Sequence, residues 1–422
     1  MILKSKGKTT ISADELAALS FILYFSMPLL KRLLRPVSAG LTIYVAIAIT
    51  YLPVLFLLFM SRKKFHVFLN FMLFLLAVCF FFLITYFVHP EYKFFYARNY
   101  FGIWDYVLRP DNGIYAFLFI RLIDDPKKIL KCLIISSWLM FIHLGIDFAE
   151  YLHRGYWISV WQGAEVHSTY NLEFGYDLLP FEITFLYSAL KNKKLIHLAM
   201  AVVGGILLLA GGSRGPILDI FLFFAAYIFV SVQKSKKRFF IIFGLIVVAV
   251  FLYLEYIPIL NGVSQLLSKA GLSSRLIKKM IEGTASDDNG RTVIWARAIQ
   301  MIKDKPWGYG AMGSRHGIYD LIEPAHPHNV FLEILIDYGV VAGTGIIIAG
   351  FVFLLRTLKM PNIGEWKGLV LIFAGVTSQL LLSGTYWHRM GVWALLALGM
   401  SIHHFRKTER NRLWLRVGQE TL

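Results

Sequence analysis

Apolar runs long enough to cross a membrane recur along most of this chain, separated by short polar turns carrying Gly, Pro, Lys or Arg. A hydrocarbon core of about 30 Å needs about 20 predominantly apolar residues of helix. The runs fall at 15–32, 39–60, 65–88, 107–123, 129–152, 174–190, 194–212, 214–232, 238–260, 329–357, 366–384 and 388–404. They are too long and too uniformly apolar for the alternating strands of a barrel, so each must satisfy its own backbone as a helix. The pattern predicts an all-α polytopic membrane bundle of about twelve transmembrane helices. Two runs are weaker: 107–123 is short and ends near Arg121, and 174–190 carries Asp177, Pro180 and Glu182. The long interval 261–328 exceeds a simple connector. Its amphipathic stretches, among them Val293-Ile294-Trp295 with Ile299 and Ile302, predict short helices lying over the bundle. The chain reads as a single integral membrane domain, 1–422, with this loop within it.

Composition agrees. Of 422 residues, 57% are hydrophobic and 16% charged, and mean hydropathy is +0.61; a soluble chain is about one quarter charged. The formal charge of +17 is spread over short loops. Arg62-Lys63-Lys64, Lys127-Lys128, Lys191 with Lys193-Lys194, Lys234 with Lys236-Lys237-Arg238, Arg356 with Lys359 and Lys367, and the basic tail from Arg406 to Arg416 fall on one side of twelve spans. That distribution orients a bundle and is not a nucleic-acid footprint. Both termini are therefore expected in the cytoplasm and 261–328 in the periplasm. Lys31, Arg32 and Arg35 break the alternation. Cys79 and Cys132 lie inside apolar runs and read as packing residues. Ala17–Leu30 reads as a first span and not as a removed signal peptide.

Three polar segments stand out. In Gly211-Gly-Ser-Arg-Gly-Pro216, Pro216 suits the first turn of a helix. Arg214 then sits at a helix N-terminus, where a guanidinium fork and exposed N–H groups favour phosphate; the alternative is a tight turn whose Arg meets lipid headgroups. In Asn289-Gly-Arg-Thr-Val-Ile-Trp-Ala-Arg297, Arg291 opens a helix that ends before Pro306. Arg291 and Arg297, six apart, face different ways, and Arg291 is the one expected to face a site; the alternative for each is an ordinary solvated face. Gly308, Gly310 and Gly313 make the next segment pliable without matching a dinucleotide fingerprint. Finally, Asn329, Glu333 and Asp337 follow His326-Pro327-His328 at four-residue spacing and share one helix face. A polar stripe at a membrane boundary turns inward. His328 suits a general base near neutral pH, and Glu333 reaches it only if His328 lies just outside the helix; the alternative is a capping histidine. His-x-His without a third ligand does not make a zinc site. The 153–173 loop carries Trp161, Glu165, His167 and Tyr170, which suit sugar faces or a membrane interface equally. His143, Asp147 and Glu150 read either as a relay or as a structural cluster.

Gly212-Ser-Arg-Gly215, Gly290-Arg-Thr292 with Trp295 leading to Gly308-Tyr-Gly310, and His328-Asn-x-Phe-Leu-Glu-Ile-Leu-x-Asp-x-Gly339 together resemble the Wzy-type O-antigen polymerase and O-antigen ligase superfamily of bacterial envelopes. Arg297 and Gly308 have the spacing associated with its polymerases, and Asn171-Leu-Glu-Phe-Gly-Tyr-Asp177 leans the same way. The resemblance implies a metal-independent, inverting glycosyltransferase without a cofactor, at the periplasmic face of the inner membrane. It would polymerise undecaprenyl-pyrophosphate-linked repeat units of O-antigen or capsule. The alternative is a ligase transferring the glycan to lipid A-core; a lipid-linked glycan transporter ranks below both, because the paired broken helices of symmetric halves are missing from the pattern. The implied site has Arg214, Arg291 and Arg297 on pyrophosphate, His328 and Glu333 in catalysis, and Glu165, His167, Trp161 and Asn329 toward glycan or acceptor. Partners would be the lipid-linked glycan, membrane lipids, and a chain-length regulator or lipid A-core, with no nucleic acid.

The topology is testable with Ser286→Cys in an otherwise cysteine-free chain. An impermeant thiol reagent should label it without opening the inner membrane; labelling only after permeabilisation would put 261–328 in the cytoplasm.

Overall fold

A computed structural model describes residues 11–98, 101–161, 164–168, 171–211, 214–231, 261–262, 264–265, 268–269, 277–278, 281–282, 290–322 and 325–420. The run expected at 238–260 and most of 261–289 lie outside them. The first elements are α1 (Ala13–Phe25), α2 (Met27–Ser38), α3 (Thr42–Met60), α4 (Arg62–Val88), α5 (Lys93–Ala97), α6 (Ala116–Arg121) and α7 (Pro126–Arg154). A hairpin of β1 (Trp157–Trp161) and β2 (Ala164–Ser168) follows, then α8 (Leu172–Asn192), α9 (Leu195–Gly211) and α10 (Arg214–Ser231). The C-terminal part holds α11 (Arg291–Asp304), α12 (Gly313–Ile318), α13 (Val330–Lys359), α14 (Glu365–Thr377) and α15 (Met390–Glu420). α8 sits centrally against α7, α9, α10 and α14, while α1 bridges α3 and α7.

The fold is helical, as expected. Among the described residues α3, α4, α7 and α13 are long and apolar enough to cross a membrane, and α1 with α2, bent by 78°, makes a fifth span if taken as one. The expected twelve runs map onto this unevenly. The run at 15–32 breaks at Ser26, whose hydroxyl donates to the Ile22 carbonyl, with Pro28 just beyond. The run at 107–123 is not one helix. A wide π turn covers Trp104–Leu108, and Arg109 donates to Asp105 at 2.5 Å and to Asp111 at 2.6 Å. Polar bonding of this kind competes with a helical backbone, so α6 starts only at Ala116. The run at 366–384 stops at Thr377, where Ser378 turns toward Asp219 at 2.7 Å.

Two of the three charges that broke the topological alternation, Lys31 and Arg32, have partners inside the protein. Lys31 pairs with Asp111, and Arg32 pairs with both Asp147 and Glu150 of α7. His143 Nε2 lies 3.4 Å from Asp147. Charge is expensive at a bilayer boundary unless paired, and here α2 cations serve α7 carboxylates. His143, Asp147 and Glu150 thus form a structural ion-pair cluster.

α13 runs helically to Tyr338 and breaks at Gly339 (φ 78°, ψ 170°). Residues 306–310 dock into the break: Tyr309 N–H donates to the Ile336 carbonyl at 2.7 Å, Gly310 N–H to the Asp337 carbonyl at 3.0 Å, and Val340 N–H to the Pro306 carbonyl at 2.8 Å. A Cβ on Gly308 would sit 2.5 Å from the Gly339 nitrogen, and one on Gly339 would sit 2.4 Å from the Trp307 carbonyl carbon. Both positions also need positive φ.

Gly308→Ala and Gly339→Ala should each lower the melting temperature of detergent-solubilised protein by several degrees. Gly345→Ala, with nothing within 4 Å of the added carbon, should be neutral or slightly stabilising, since helical Gly is about 0.5–1 kcal/mol worse than Ala. Equal melting of Gly339→Ala and the parent protein would refute the interlock.

Candidate active site

The His-Pro-His segment is pinned between α11 and α13. Asn329 caps α13, accepting from Phe331 N–H at 3.0 Å and Leu332 N–H at 3.2 Å. Immediately before it His328 adopts φ 53°, so its ring leaves the helix, the position that the sequence required of a catalytic histidine here. Trp295 Nε1 donates to the Pro327 carbonyl at 3.0 Å and ties the segment to α11. Arg291, four residues before Trp295, shares its face, and is near enough to act electrostatically on the His328 ring. Arg297 faces away, pairing at 2.8 Å with Asp320 on an exposed surface. Exposed pairs of this kind contribute little.

The neighbouring elements bring further charge. The ring of buried His326 lies 4.1 Å from that of His328, and His326 feels Arg315, Arg389 and His388. Burial first, then the adjacent His328 and the Arg315 and Arg389 guanidiniums, hold the His326 pKa well below its ordinary value. Burial first and Arg291 second bring His328 down to about 4. Both imidazoles are therefore neutral at neutral pH. Arg315, 1% exposed, donates to the Phe101 carbonyl and lies 5.6–5.7 Å from the rings of Phe95, Phe101 and Tyr106. It fastens α12 to the 95–106 segment by cation–π contact. Arg389 donates to Glu173 at 2.6 Å, approaches Asp177 at 3.6 Å and covers the Tyr176 ring at 5.5 Å.

Tyr176 connects this group to α10. A Cβ on Gly215 would fall 2.0 Å from its hydroxyl, so the start of α10, where Arg214 sits, packs on Tyr176. Arg291 also acts on Tyr176. The Arg214 side chain itself lies outside the described residues. Gly215 thus has a stated use: a side chain there would exclude Tyr176.

Glu333 is buried, but its oxygens take the Thr385 hydroxyl at 2.5 Å and the Tyr386 N–H at 3.4 Å. No hydrogen bond to His328 is formed among the described residues, contrary to the support expected from the spacing, because the 385–387 turn occupies the carboxylate. Asp337 accepts from Tyr386 OH at 2.7 Å and Trp387 Nε1 at 3.2 Å. The acidic stripe of α13 thus anchors the turn that carries His388 and Arg389. Asn329 Nδ2 reaches the Leu381 carbonyl at 3.5 Å, on the same turn region.

Trp161, Glu165 and His167 fall on the hairpin, in register Trp161↔Ala164, Val160↔Glu165 and Ile158↔His167. Glu165 and His167 are exposed, and His167 stacks on Tyr156 at 4.4 Å. Trp157 anchors the hairpin against Tyr151 and Phe174. Sequence reasoning missed Arg315 and Arg389; His388-Arg389 after two aromatics on a short outer turn was the available signal for the second. No group of three or more His, Cys, Asp or Glu side chains that could hold a metal ion occurs among the described residues.

Residues 199–348 match the family model described as O-antigen ligase. The superfamily resemblance holds over that stretch, which spans α9 to α13 and contains Arg214, Arg291, Arg297, His328, Asn329 and Glu333. The match supports glycan processing at a membrane, and its description fits the ligase alternative. No curated protein and no solved structure matches the chain.

The depressed pKa of His328 has a stability consequence. Its proton binds the unfolded chain near 6.5 and the folded one near 4, so its contribution is full above about 6.5 and lost as pH falls through that window. His328→Gln should flatten the fall in melting temperature between pH 6.5 and 4; an unchanged slope would contradict the neutral buried imidazole.

Proposed function

We propose that this chain is a membrane glycosyltransferase acting on a glycan carried by undecaprenyl pyrophosphate at the periplasmic face of the inner membrane, and that it polymerises repeat units. The observation that carries the reading is Arg291 beside the His328 ring, next to Tyr176 and the start of α10. A cationic helix-terminal pair with an adjacent neutral imidazole suits a reaction in which a pyrophosphate leaves and a hydroxyl attacks. Arg214 and Arg291 neutralise the leaving group in a site of low polarity, the kind of stabilisation that contributes most to such reactions. The acceptor hydroxyl oxygen bonds to the anomeric carbon as the carbon–phosphate oxygen bond breaks on the opposite face, inverting the centre. The hydroxyl proton passes to His328, and the lipid pyrophosphate departs. No metal is needed in this scheme. Glu333 acts through the 385–387 turn as a positioning residue, and Arg297 contributes least of the three arginines. A polymerase would work beside a chain-length regulator. The second reading, transfer to lipid A-core, is favoured by the description of the matching family.

Purified protein with a synthetic undecaprenyl-linked repeat unit tests this. Laddered products mean a polymerase, transfer only to added lipid A-core means a ligase, and no transfer to either refutes the proposal. His328→Ala should lose roughly 10²- to 10⁴-fold in kcat, the scale of general-base catalysis, with donor binding retained. Arg291→Lys should weaken donor binding through loss of the bidentate fork; full activity in both variants would remove the assigned roles.

A further inference from the structure

A cavity of about 280 Å³, lined in part by Tyr176, opens between α1, α2, α8, the 109–113 turn and the start of α15. That is room on the order of nine waters, enough for a sugar ring. Of its charged side chains only Asp177 belongs to a motif noted in the sequence, and the cavity lies outside the stretch 199–348 matched to the family.

The cations that line it are already paired with carboxylates. Lys31, Arg109 and Arg389 are matched by Asp105, Asp111, Glu173 and Asp177, with Lys31 on Asp111, Arg109 on Asp105 and Asp111, and Arg389 on Glu173 and Asp177. A phosphate needs cations that are not already neutralised, which this cavity lacks. A neutral polyhydroxyl needs fixed acceptors and donors of both kinds, and finds them here. The half-exposed Asp177 carboxylate and the mostly buried Arg389 guanidinium offer one of each. Gln379, 3% exposed, lines the same cavity; its Nε2 donates to the Val376 carbonyl at 2.8 Å, while its Oε1 has no hydrogen-bond partner among the described residues. A buried acceptor left unpaired is costly, and an incoming O–H would satisfy it. The rings of Tyr24 and Tyr176 add apolar faces of the kind that pack on sugars.

We infer that this cavity binds the terminal sugar of the acceptor glycan, held by Asp177, Gln379 and Arg389. The inference names the acceptor side of the proposed reaction and so rests on that reading. Tyr176 lines this cavity and also lies within electrostatic reach of Arg291, which links the acceptor pocket to the Arg291 and His328 group.

Binding without turnover separates the two. Full-length protein in a non-glycosidic detergent is probed by saturation-transfer NMR with methyl glycosides of glucose, galactose, mannose, rhamnose and N-acetylglucosamine, and separately with inorganic pyrophosphate. At least one glycoside should bind, and Asp177→Asn and Gln379→Met should each weaken it about three- to tenfold, the worth of one net hydrogen bond or somewhat more. Both variants should keep the parent's pyrophosphate affinity. Absence of glycoside binding, or binding that both folded variants retain in full, overturns the inference. Pyrophosphate binding that is absent, or indifferent to Arg291→Ala, instead counts against the donor site and leaves the glycoside result standing.

Discussion

The surroundings of the His-Pro-His segment depend on one backbone contact. At Gly308 and Gly339 two stretches of main chain approach so closely that neither tolerates a Cβ. The three hydrogen bonds between 306–310 and 336–340 replace those that α13 loses where it breaks. Above the break, α13 turns Glu333 and Asp337 inward to the 385–387 turn, and that turn sets Arg389 on Glu173 of α8. Below it, residues 306–312 rest on α4 through Thr85, whose hydroxyl accepts from Ala311 N–H at 3.2 Å. A glycine pair thus fixes the separation of α4, α8, α11 and α13 around the His-Pro-His segment.

Charge inside the bundle follows a second rule: cations and carboxylates are shared between elements distant in sequence. Lys31 with Asp111, Arg32 with Asp147 and Glu150, and Arg389 with Glu173 each join separate segments. In a medium of low polarity such pairs offset their desolvation only with close geometry and further hydrogen bonds. The Arg109 fork, engaged by Asp105 and Asp111 together, is the fullest case.

How legible this was depended on what each residue type signals locally. The start of α13 near residue 329 was legible, because the polar residues before it and the apolar run after it mark the boundary locally. That Asn329 caps the helix was not read from the sequence, and the displacement of His328 was only a condition for its contact with Glu333. The break at Gly339 was hidden, since apolar residues continue through it and only the partner segment creates it. Lys31 and Arg32 were read as loop charges because pairing across 80 to 118 residues leaves no local trace. The hairpin was overlooked although Ala164-Glu-Val-His-Ser168 carries an alternating pattern. The short runs failed as spans where Asp105, Arg109 and Asp111 drew the backbone into side-chain bonding.

The pairing of α2 with α7 also has a history. A membrane chain is inserted from its N-terminus onward, and segments synthesised first meet the bilayer first. When Lys31 and Arg32 emerge, Asp111, Asp147 and Glu150 have not yet been made. For that interval the two cations lack these partners and the Ser26 bend has no α7 to pack against. The ion pairs of the first helical pair are completed only when segments made later supply the carboxylates.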